Sequence, residues 1–271
     1  MNETLRVACV QCNAGADLDA GIAAAEAWTR AAVEQGARFV TLPEYFSQLD
    51  LRAGRLNVTA YAEAEHPALA AFRALAAELG VWMLLGSLPI AAGDGRAFNR
   101  SFLLDAEGDI VARYDKIHLF DVDLSEGERY RESDVIAPGD RAVTAGTPWG
   151  KAGLSICYDL RFPHLYRRLA KDGASMLMVP AAFTRTTGRA HWHVLVRARA
   201  IENGAFVIAP AQCGEHGEGA TYGHSLIVDP WGRVLADGGE EPGVVTAEID
   251  LGDVARVRAK IPSLRHDRPF S

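Results

Sequence analysis

Cysteine is scarce in this sequence, with four in 271 residues: Cys9, Cys12, Cys157 and Cys213. So few thiols in a chain of this length exclude the disulfide framework of a small secreted domain. Long apolar runs are also missing, because runs such as VWMLLG at 81–86 have the length of a core strand, far below the roughly 20 residues that cross a bilayer. The N-terminal segment MNETLRVACVQC lacks a basic stretch followed by an apolar run. We therefore expect no secretion signal, no membrane contact and a cytoplasmic protein.

Positive charge is in the minority, since the formal net charge at pH 7 is −7. This balance gives no reason to expect nucleic acid or an anionic membrane as a partner. The chain also lacks linkers, internal repeats and low-complexity segments. With 49% hydrophobic and 23% charged residues, it has the composition of a globular protein. We predict one domain over residues 1–271.

Strand patterns and helix patterns alternate along the chain, as in RFVTLPE at 38–44 followed by a helical pattern at 60–80. Some strands have continuous apolar runs and others alternate. This mixture favours an α/β protein whose sheets are covered by helices on one face and by a second sheet on the other. The segment 117–150 has turn signals such as APGD and TPWG, and we predict that it is rich in loops.

The C-x-x-C formed by Cys9 and Cys12 invites a redox or zinc interpretation. It lies in the strand-like run LRVACVQCN, whereas a redox pair is expected at a helix N-terminus, where the thiolate is favoured. A zinc site would need a second pair of ligands, which the sequence does not offer. We therefore interpret both thiols as packing residues, and a redox protein stays an alternative.

Cys157 is a stronger candidate for chemistry, because it ends an apolar run in GLSICYDLRF and precedes a predicted helix. A side chain on such a turn projects from the sheet edge, and the helix N-terminus favours a thiolate. On this stretch alone a buried structural cysteine is an equally good interpretation. Among the histidines, none stands at a strand end as a base, and the pair in AHWHV points to different sides of a helix, which is a poor metal site.

Two charged residues stand at the ends of apolar strands. Glu44 ends RFVTLPE, and Lys116 ends IVARYDK. Such charges are costly at core positions unless they are paired or used in chemistry. A salt bridge at the rim of a sheet is the alternative explanation.

Three segments, TLPEYF, RYDKIHLFDVD and GLSICYDLRFPHLYRRLAKDGA, resemble the signature motifs of the nitrilase superfamily of carbon–nitrogen hydrolases. The resemblance spans nearly the whole chain. It implies a four-layer α-β-β-α sandwich and a catalytic triad of Glu44, Lys116 and Cys157. A further glutamate of the family matches Glu132 in YRESDVIAPGD.

The resemblance also implies the roles of these residues. Cys157 attacks an amide carbonyl, and Glu44 accepts the thiol proton, passes it to the leaving group and then activates water. Lys116 and the backbone N–H of Tyr158 hold the oxyanion. Glu132 orients Lys116 or the substrate amide. We expect no metal and no organic cofactor.

The C-terminal half is similar to the branch of this family that hydrolyses deaminated glutathione, and less to the omega-amidases acting on 2-oxoglutaramate. We therefore expect hydrolysis of a terminal carboxamide on a small carboxylate-bearing metabolite, giving an acid and ammonia. Predicted substrate contacts are Tyr158, Arg161, Arg185 and Thr187, because Arg can grip a carboxylate with two bonds. A local pairing of Arg161 with Asp159 is an equally good interpretation.

Other functions stay open at this level. An N-carbamoyl amino acid amidohydrolase or an aliphatic amidase would use the same triad, and the segment VDLSEGERYRES, which departs from the deaminated-glutathione branch, could reshape the pocket entrance. A catalytically silent interaction scaffold is the alternative outside enzymology. The resemblance further implies a homodimer or higher homo-oligomer, formed through helices in RFPHLYRRLAKDG and VARVRAK.

Overall fold

Two mixed β-sheets face each other in the computed structural model, which describes residues 4–52, 55–125 and 128–268. The strands, in chain order, are β1 (Thr4–Gln11), β2 (Phe39–Thr41), β3 (Leu51–Arg52), β4 (Arg55–Leu56), β5 (Trp82–Ala91), β6 (Ala97–Leu104), β7 (Ile110–Asp115), β8 (Asp121–Ser125), β9 (Glu128–Arg131), β10 (Ile136–Ala137), β11 (Val143–Thr147), β12 (Gly150–Leu154), β13 (Ala174–Met178), β14 (Phe206–Ala209), β15 (Cys213–His216), β16 (Gly219–Tyr222), β17 (Leu226–Val228), β18 (Val234–Asp237) and β19 (Gly243–Asp250).

The helices alternate with these strands. The α-helices are α1 (Leu18–Glu34), α2 (Pro67–Leu79), α3 (Pro163–Lys171), α4 (Arg185–Asn203) and α5 (Gly252–Lys260). Short 3-10 helices cover Glu63–Glu65, Glu132–Asp134, Cys157–Arg161 and Ser263–Arg265. Throughout the described ranges, each helix is too short or too polar to cross a membrane.

Each sheet has a parallel centre flanked by antiparallel pairs, and in the first sheet the edge strand β10 runs parallel to β6. The first follows the order β10-β6-β5-β2-β1-β19, with β7 also paired to β6. The second follows the order β11-β12-β13-β14-β17-β18. Because β1, β2 and β5 run parallel, as do β12, β13 and β14, the carboxyl ends of the central strands in each sheet lie at one edge, where side chains from separate parts of the chain can meet.

Helices cover the outer face of each sheet. Helices α1 and α2 bury side chains such as Ala25 and Phe72 against the first sheet. Helices α3 and α4 bury Leu169 and Trp192 against the second sheet, and that apolar cluster continues between the sheets to residues of β1 such as Val7. The predicted four-layer α-β-β-α arrangement is therefore confirmed.

The segment 117–150 is more ordered than its turn signals predicted. It holds β8 and β9, which form an antiparallel hairpin, and also β10 and β11. Opposite charges stabilise the hairpin across its strands, because Arg131 Nη2 donates to both carboxylate oxygens of Asp123 at 2.9 and 2.8 Å. Cross-strand pairs of this kind are not visible in a pattern of apolar residues.

Candidate active site

Glu44 lies just after β2, in a turn that a close backbone approach holds in place. A Cβ atom added at Gly86, in β5, would lie 2.0 Å from the carbonyl oxygen of Leu42, so only glycine allows β5 to come this near. Glu44 itself is 2% exposed. Its Oε1 accepts from Asn99 Nδ2 at 2.8 Å, and its Oε2 accepts from the backbone N–H of Ala182 at 2.8 Å. Both carboxylate oxygens are therefore fixed in position.

Lys116, just after β7, links two buried carboxylates. Its Nζ lies 2.9 Å from Glu44 Oε1 and 2.9 and 2.8 Å from the two oxygens of Glu132. Glu132 also accepts from the backbone N–H of Phe120 at 2.7 Å. Three charges this deeply buried are tolerated because each is paired and hydrogen-bonded.

Cys157 opens the 3-10 helix that follows β12. Its φ angle is +47°, in the left-handed region, and its backbone N–H donates to Pro180 O at 2.8 Å. Neighbouring Tyr45, next to Glu44, also has a positive φ of +53°. Such strained non-glycine residues persist where the surrounding structure holds them, and they cluster at functional sites.

The electrostatics of the site keep the thiol protonated at rest. Burial raises the pKa of Cys157 well above its ordinary value, and the Glu44 carboxylate raises it further, while Lys116 acts in the opposite direction. The turn at the 3-10 helix therefore does not favour a resting thiolate, contrary to our expectation, because burial beside a carboxylate outweighs the opposing effects.

The charges of Lys116 and Glu132 depend on each other. Burial lowers the pKa of Lys116, but the negative charges of Glu132 and Glu44 outweigh it and hold that pKa well above the ordinary value. Burial raises the pKa of Glu132, and Glu44 adds to the rise, whereas Lys116 lowers it. The Lys116 ammonium is thus held between the carboxylates of Glu44 and Glu132.

These side chains line a cleft that encloses about 690 Å³ of empty space, its open mouth included. Most of its wall is apolar or aromatic. The lining residues are Glu44, Tyr45, Leu49, Leu51, Leu56, Lys116, Phe120, Tyr130, Arg131, Glu132, Cys157, Tyr158, Ala182, Phe183, Thr184, Thr187, Ala220 and Thr221. All four predicted catalytic residues are in this set, as are Tyr158 and Thr187.

The structure does not bring the other two predicted substrate contacts to the wall. The Arg161 guanidinium lies 3.3 Å from His191 Nδ1 and 5.3 Å from the centre of the Phe183 ring. Arg185 forms an ion pair with Glu215 at 2.8 Å. Among the described lining residues, the cation outside the Glu44–Lys116–Glu132 cluster is instead Arg131, on the β8–β9 hairpin.

Two buried residues organise the site: Asn99, which the sequence did not single out, and Asp159, which it offered only as a local partner of Arg161. Asn99, in β6, donates from Nδ2 to both Glu44 and Glu132, at 2.8 and 3.2 Å. Asp159 is fully buried and accepts from Tyr114 Oη at 2.6 Å and from the backbone N–H of Ile156 at 2.9 Å, which anchors the turn carrying Cys157. Asn99 is followed by Arg100 and Ser101 in β6, so no break in an apolar run marks it in the sequence.

Cys9 and Cys12 lie in different apolar layers. Cys9 belongs to the cluster between the sheets, and Cys12 to the cluster under the outer helices. Burial raises the pKa of Cys9 to about 12, and burial raises the pKa of Cys12 as well. Two inert thiols facing apart favour packing over a redox pair.

Known proteins resemble this chain in sequence and in fold. Residues 6–259 match the carbon-nitrogen hydrolase family. A deaminated glutathione amidase of Synechocystis sp. is 44% identical over 265 residues, which are 96% of each chain. The NitFhit protein of C. elegans superposes with a TM-score of 0.89 at 36% identity, over 98% of this chain and 65% of that one.

A third relative has a structure with a covalent adduct on its active-site cysteine. An amidase of Nesterenkonia sp. superposes with a TM-score of 0.79 at 26% identity, over 95% of each chain. That structure is of a glutamate-to-glutamine variant with the acetamide moiety of fluoroacetamide bound covalently at the active-site cysteine. With a family match over most of its length and a full-length relative at 44% identity, this chain belongs to the carbon-nitrogen hydrolase family of the nitrilase superfamily.

Proposed function

We propose that this enzyme hydrolyses a linear amide of a small carboxylate-bearing metabolite, and that deaminated glutathione is the substrate. The observation that carries the proposal is the cluster of Glu44, Lys116 and Glu132 beside the Cys157 thiol at the floor of one cleft. The 44% identity to a deaminated glutathione amidase supports the choice of substrate.

In this mechanism the thiol of Cys157 attacks the amide carbonyl while Glu44 accepts its proton. Because the thiol is protonated at rest, bond formation and proton transfer are coupled. Lys116 and the backbone N–H of Tyr158 stabilise the oxyanion of the tetrahedral intermediate. Glu44 then gives the proton to the leaving amine, which departs and leaves a thioester.

Hydrolysis of the thioester repeats the sequence with water. Glu44 accepts a proton from water as the water oxygen attacks the thioester carbonyl. Glu44 then gives this proton to the departing sulfur of Cys157. The acid leaves and the Cys157 thiol is restored. Glu132 keeps Lys116 charged and in place throughout, with Asn99 bridging the two carboxylates.

The carboxylate of the substrate is assigned to Arg131. This residue lines the cleft, directly precedes Glu132 in the chain without belonging to the Glu44–Lys116–Glu132 cluster, and its side chain is 34% exposed. Hydrogen bonds to Asp123 and to the carbonyl oxygens of Val122 and Tyr130 hold the guanidinium in a fixed orientation, which lowers the entropic cost of a further contact with a substrate carboxylate. The apolar wall accommodates the rest of the substrate.

The test measures hydrolysis of deaminated glutathione and 2-oxoglutaramate by the purified enzyme. Deaminated glutathione joins its acyl group to cysteinylglycine through a secondary amide, so its cleavage releases an amine and not the ammonia expected from the sequence for a terminal carboxamide, whereas 2-oxoglutaramate releases ammonia. We expect amine release to dominate, and Cys157→Ala to reduce kcat by at least about 10⁴-fold. A preference for 2-oxoglutaramate or for an N-carbamoyl amino acid would overturn the substrate, and turnover that survives in Cys157→Ala would overturn the mechanism.

Two arginines of the hairpin form a matched pair for the same assay. Arg131→Gln should raise KM about tenfold with kcat nearly unchanged, since one charge-assisted contact is worth roughly that factor. Arg129 pairs with the same Asp123 but does not line the cleft. Arg129→Gln should therefore leave KM unchanged, and equal effects of both variants would contradict the assignment of Arg131.

We also propose that the chain forms a homodimer. The family resemblance supports it, and so do exposed apolar side chains near the C-terminal half of α4, where Val194 is 67% and Ile201 52% exposed and Trp231 and Ile261 are 54% exposed. Light scattering should give twice the 29.2 kDa chain mass. Val194→Asp should dissociate the dimer while Val111→Asp, on β7, should not, and a monomeric wild-type protein would contradict the proposal.

A reducing compartment, the cytoplasm, fits a catalytic thiol. All four cysteines are free and buried, and an oxidised Cys157 could not attack an amide. When the protein is extracted from its own cells under denaturing conditions, an alkylating reagent should modify all four thiols. An intramolecular disulfide in that sample would contradict this assignment.

A further inference from the structure

Outside the cleft, three metal-ligating side chains meet from separate elements of the second sheet and its helix. His193 lies on α4, His224 lies just before β17, and Asp237 ends β18. One ligand atom from each residue lies within 4.8 Å of the others. Together with His191, His193 would make a poor metal site. The fold instead places His193 beside His224 and Asp237, which are 31 and 44 residues further along the chain (224 − 193 and 237 − 193).

The three side chains already point their ligand atoms at one another. His193 Nε2 lies 2.9 Å from Asp237 Oδ2, and His224 Nδ1 lies 2.8 Å from Asp237 Oδ1. The centres of the two imidazole rings are 5.0 Å apart. Ligand atoms of a tetrahedral zinc ion with bonds of about 2.0–2.1 Å are separated by roughly 3.3 Å. Small side-chain movements would therefore open the cluster enough to admit an ion.

The position of His224 is held by its surroundings. Its φ angle of +55° places it with Tyr45 and Cys157 as the left-handed non-glycine residues of the described chain. Its carbonyl oxygen accepts from Trp192 Nε1 at 2.7 Å, and its ring stacks on Tyr222 at 4.4 Å. The ring is thus directed toward α4 before any ion arrives, which is the preorganisation that a metal site needs.

We propose that His193, His224 and Asp237 bind a divalent zinc ion. Two imidazole nitrogens and one carboxylate oxygen are a ligand set that zinc takes in three-residue sites, with water in the fourth position. The side chains of His193, His224 and Asp237 are 34%, 20% and 35% exposed, so that water can reach the ion. Each imidazole binds through the nitrogen that now faces Asp237, with its proton moved to the other ring nitrogen.

The ion would stabilise the wall of the cleft. It ties α4 to β18 and to the turn before β17, and α4 carries Thr187 of the cleft near its N-terminus. The turn before β17 is also held close to the start of α4, because the backbone N–H of Tyr222 donates to Phe183 O at 2.9 Å. Zinc binding should therefore raise Tm, by about 5 °C at a hundredfold excess over Kd.

Isothermal titration of tag-free protein with Zn²⁺, together with thermal melts, tests the site. We expect one equivalent of zinc with a micromolar Kd, weakened at least tenfold in His193→Gln and in His224→Gln. Asp237→Asn, which keeps the shape of the side chain, should weaken binding to a similar degree. His266→Gln changes an exposed histidine outside the cluster and should bind zinc as the wild type does.

The active-site thiol is a competing zinc ligand, and one more variant separates the two. Cys157→Ala should retain the single zinc equivalent and the rise in Tm. Loss of binding in Cys157→Ala alone would place the ion in the cleft and overturn the proposal, as would unchanged affinity in His193→Gln and Asp237→Asn. An absence of zinc binding to the wild type up to millimolar concentration would overturn it as well.

Discussion

Replacing Glu44 with glutamine is expected to remove nearly all amide hydrolysis and at the same time to make Cys157 easier to alkylate at neutral pH. The two effects separate because Glu44 acts on the thiol in two ways. As a base it accepts the thiol proton during attack on an amide. As a buried negative charge it raises the pKa of the thiol.

Glutamine keeps the size of the side chain but loses both the charge and the basicity. Without the negative charge, one cause of the raised pKa of Cys157 disappears while the Lys116 ammonium, which lowers that pKa, remains. More thiolate is then present at a given pH. Hydrolysis still fails, by about 10³-fold in kcat/KM, because no group takes the proton from water or delivers one to the leaving amine.

The measurement compares kcat/KM for hydrolysis with the rate of iodoacetamide labelling at Cys157 across a pH series. Peptide mass spectrometry confirms that the label is on Cys157. The labelling curve of Glu44→Gln should shift to lower pH than that of the wild type. Glu128→Gln, on the hairpin beside the cleft, is the control and should change neither quantity. If Glu44→Gln slowed labelling at every pH, the base function of Glu44 would dominate both reactions and the electrostatic argument would fail.

The strand-end positions of Glu44, Lys116 and Cys157 made them candidates, and only the resemblance to the nitrilase superfamily implied that they form a triad. Glu44, Lys116 and Cys157 follow β2, β7 and β12, and side chains at strand ends of facing sheets can meet in one cleft. Glu132 was found through the resemblance of its segment to the family. The layer order followed from strand patterns together with the same resemblance.

Substrate contacts were less predictable, because nearness to Cys157 along the chain does not determine where a side chain points. Arg161 ends the 3-10 helix and turns toward His191 on α4, and Arg185 turns toward Glu215. Arg131 reaches the cleft through the register of a hairpin in a segment expected to be loops. That register depends on cross-strand pairs such as Arg131 with Asp123, which a single sequence does not display.

Lys116→Met is the substitution expected to cost the most stability as well as activity. Lys116 is 2% exposed and neutralises two carboxylates whose side chains are 3% and 8% exposed. Its removal leaves these charges buried without a neutralising cation, which typically costs about 3–5 kcal/mol of unfolding free energy. Hydrolysis should be lost with it, because the oxyanion no longer meets a positive charge.

The pH dependence of the lost stability distinguishes an electrostatic cause from a packing defect. Without Lys116, nothing opposes the burial and the Glu44 charge that raise the pKa of Glu132 in the folded protein above its value in the unfolded chain. The folded state then holds more protons than the unfolded state between those two values, so the free energy of unfolding falls as the pH rises through that window. The variant should therefore be closest to the wild type near pH 5 and furthest from it at pH 7 and above.

Chemical denaturation at pH 5 and pH 7 measures both quantities, and a double variant supplies the control. Lys116→Met combined with Glu132→Gln removes one of the two stranded charges, so it should recover part of the stability at pH 7 without recovering hydrolysis. A cavity or a lost packing contact would instead cost the same at both pH values and would not be relieved by Glu132→Gln. Because methionine keeps much of the apolar chain of lysine, equal destabilisation at the two pH values would contradict the electrostatic account of Lys116.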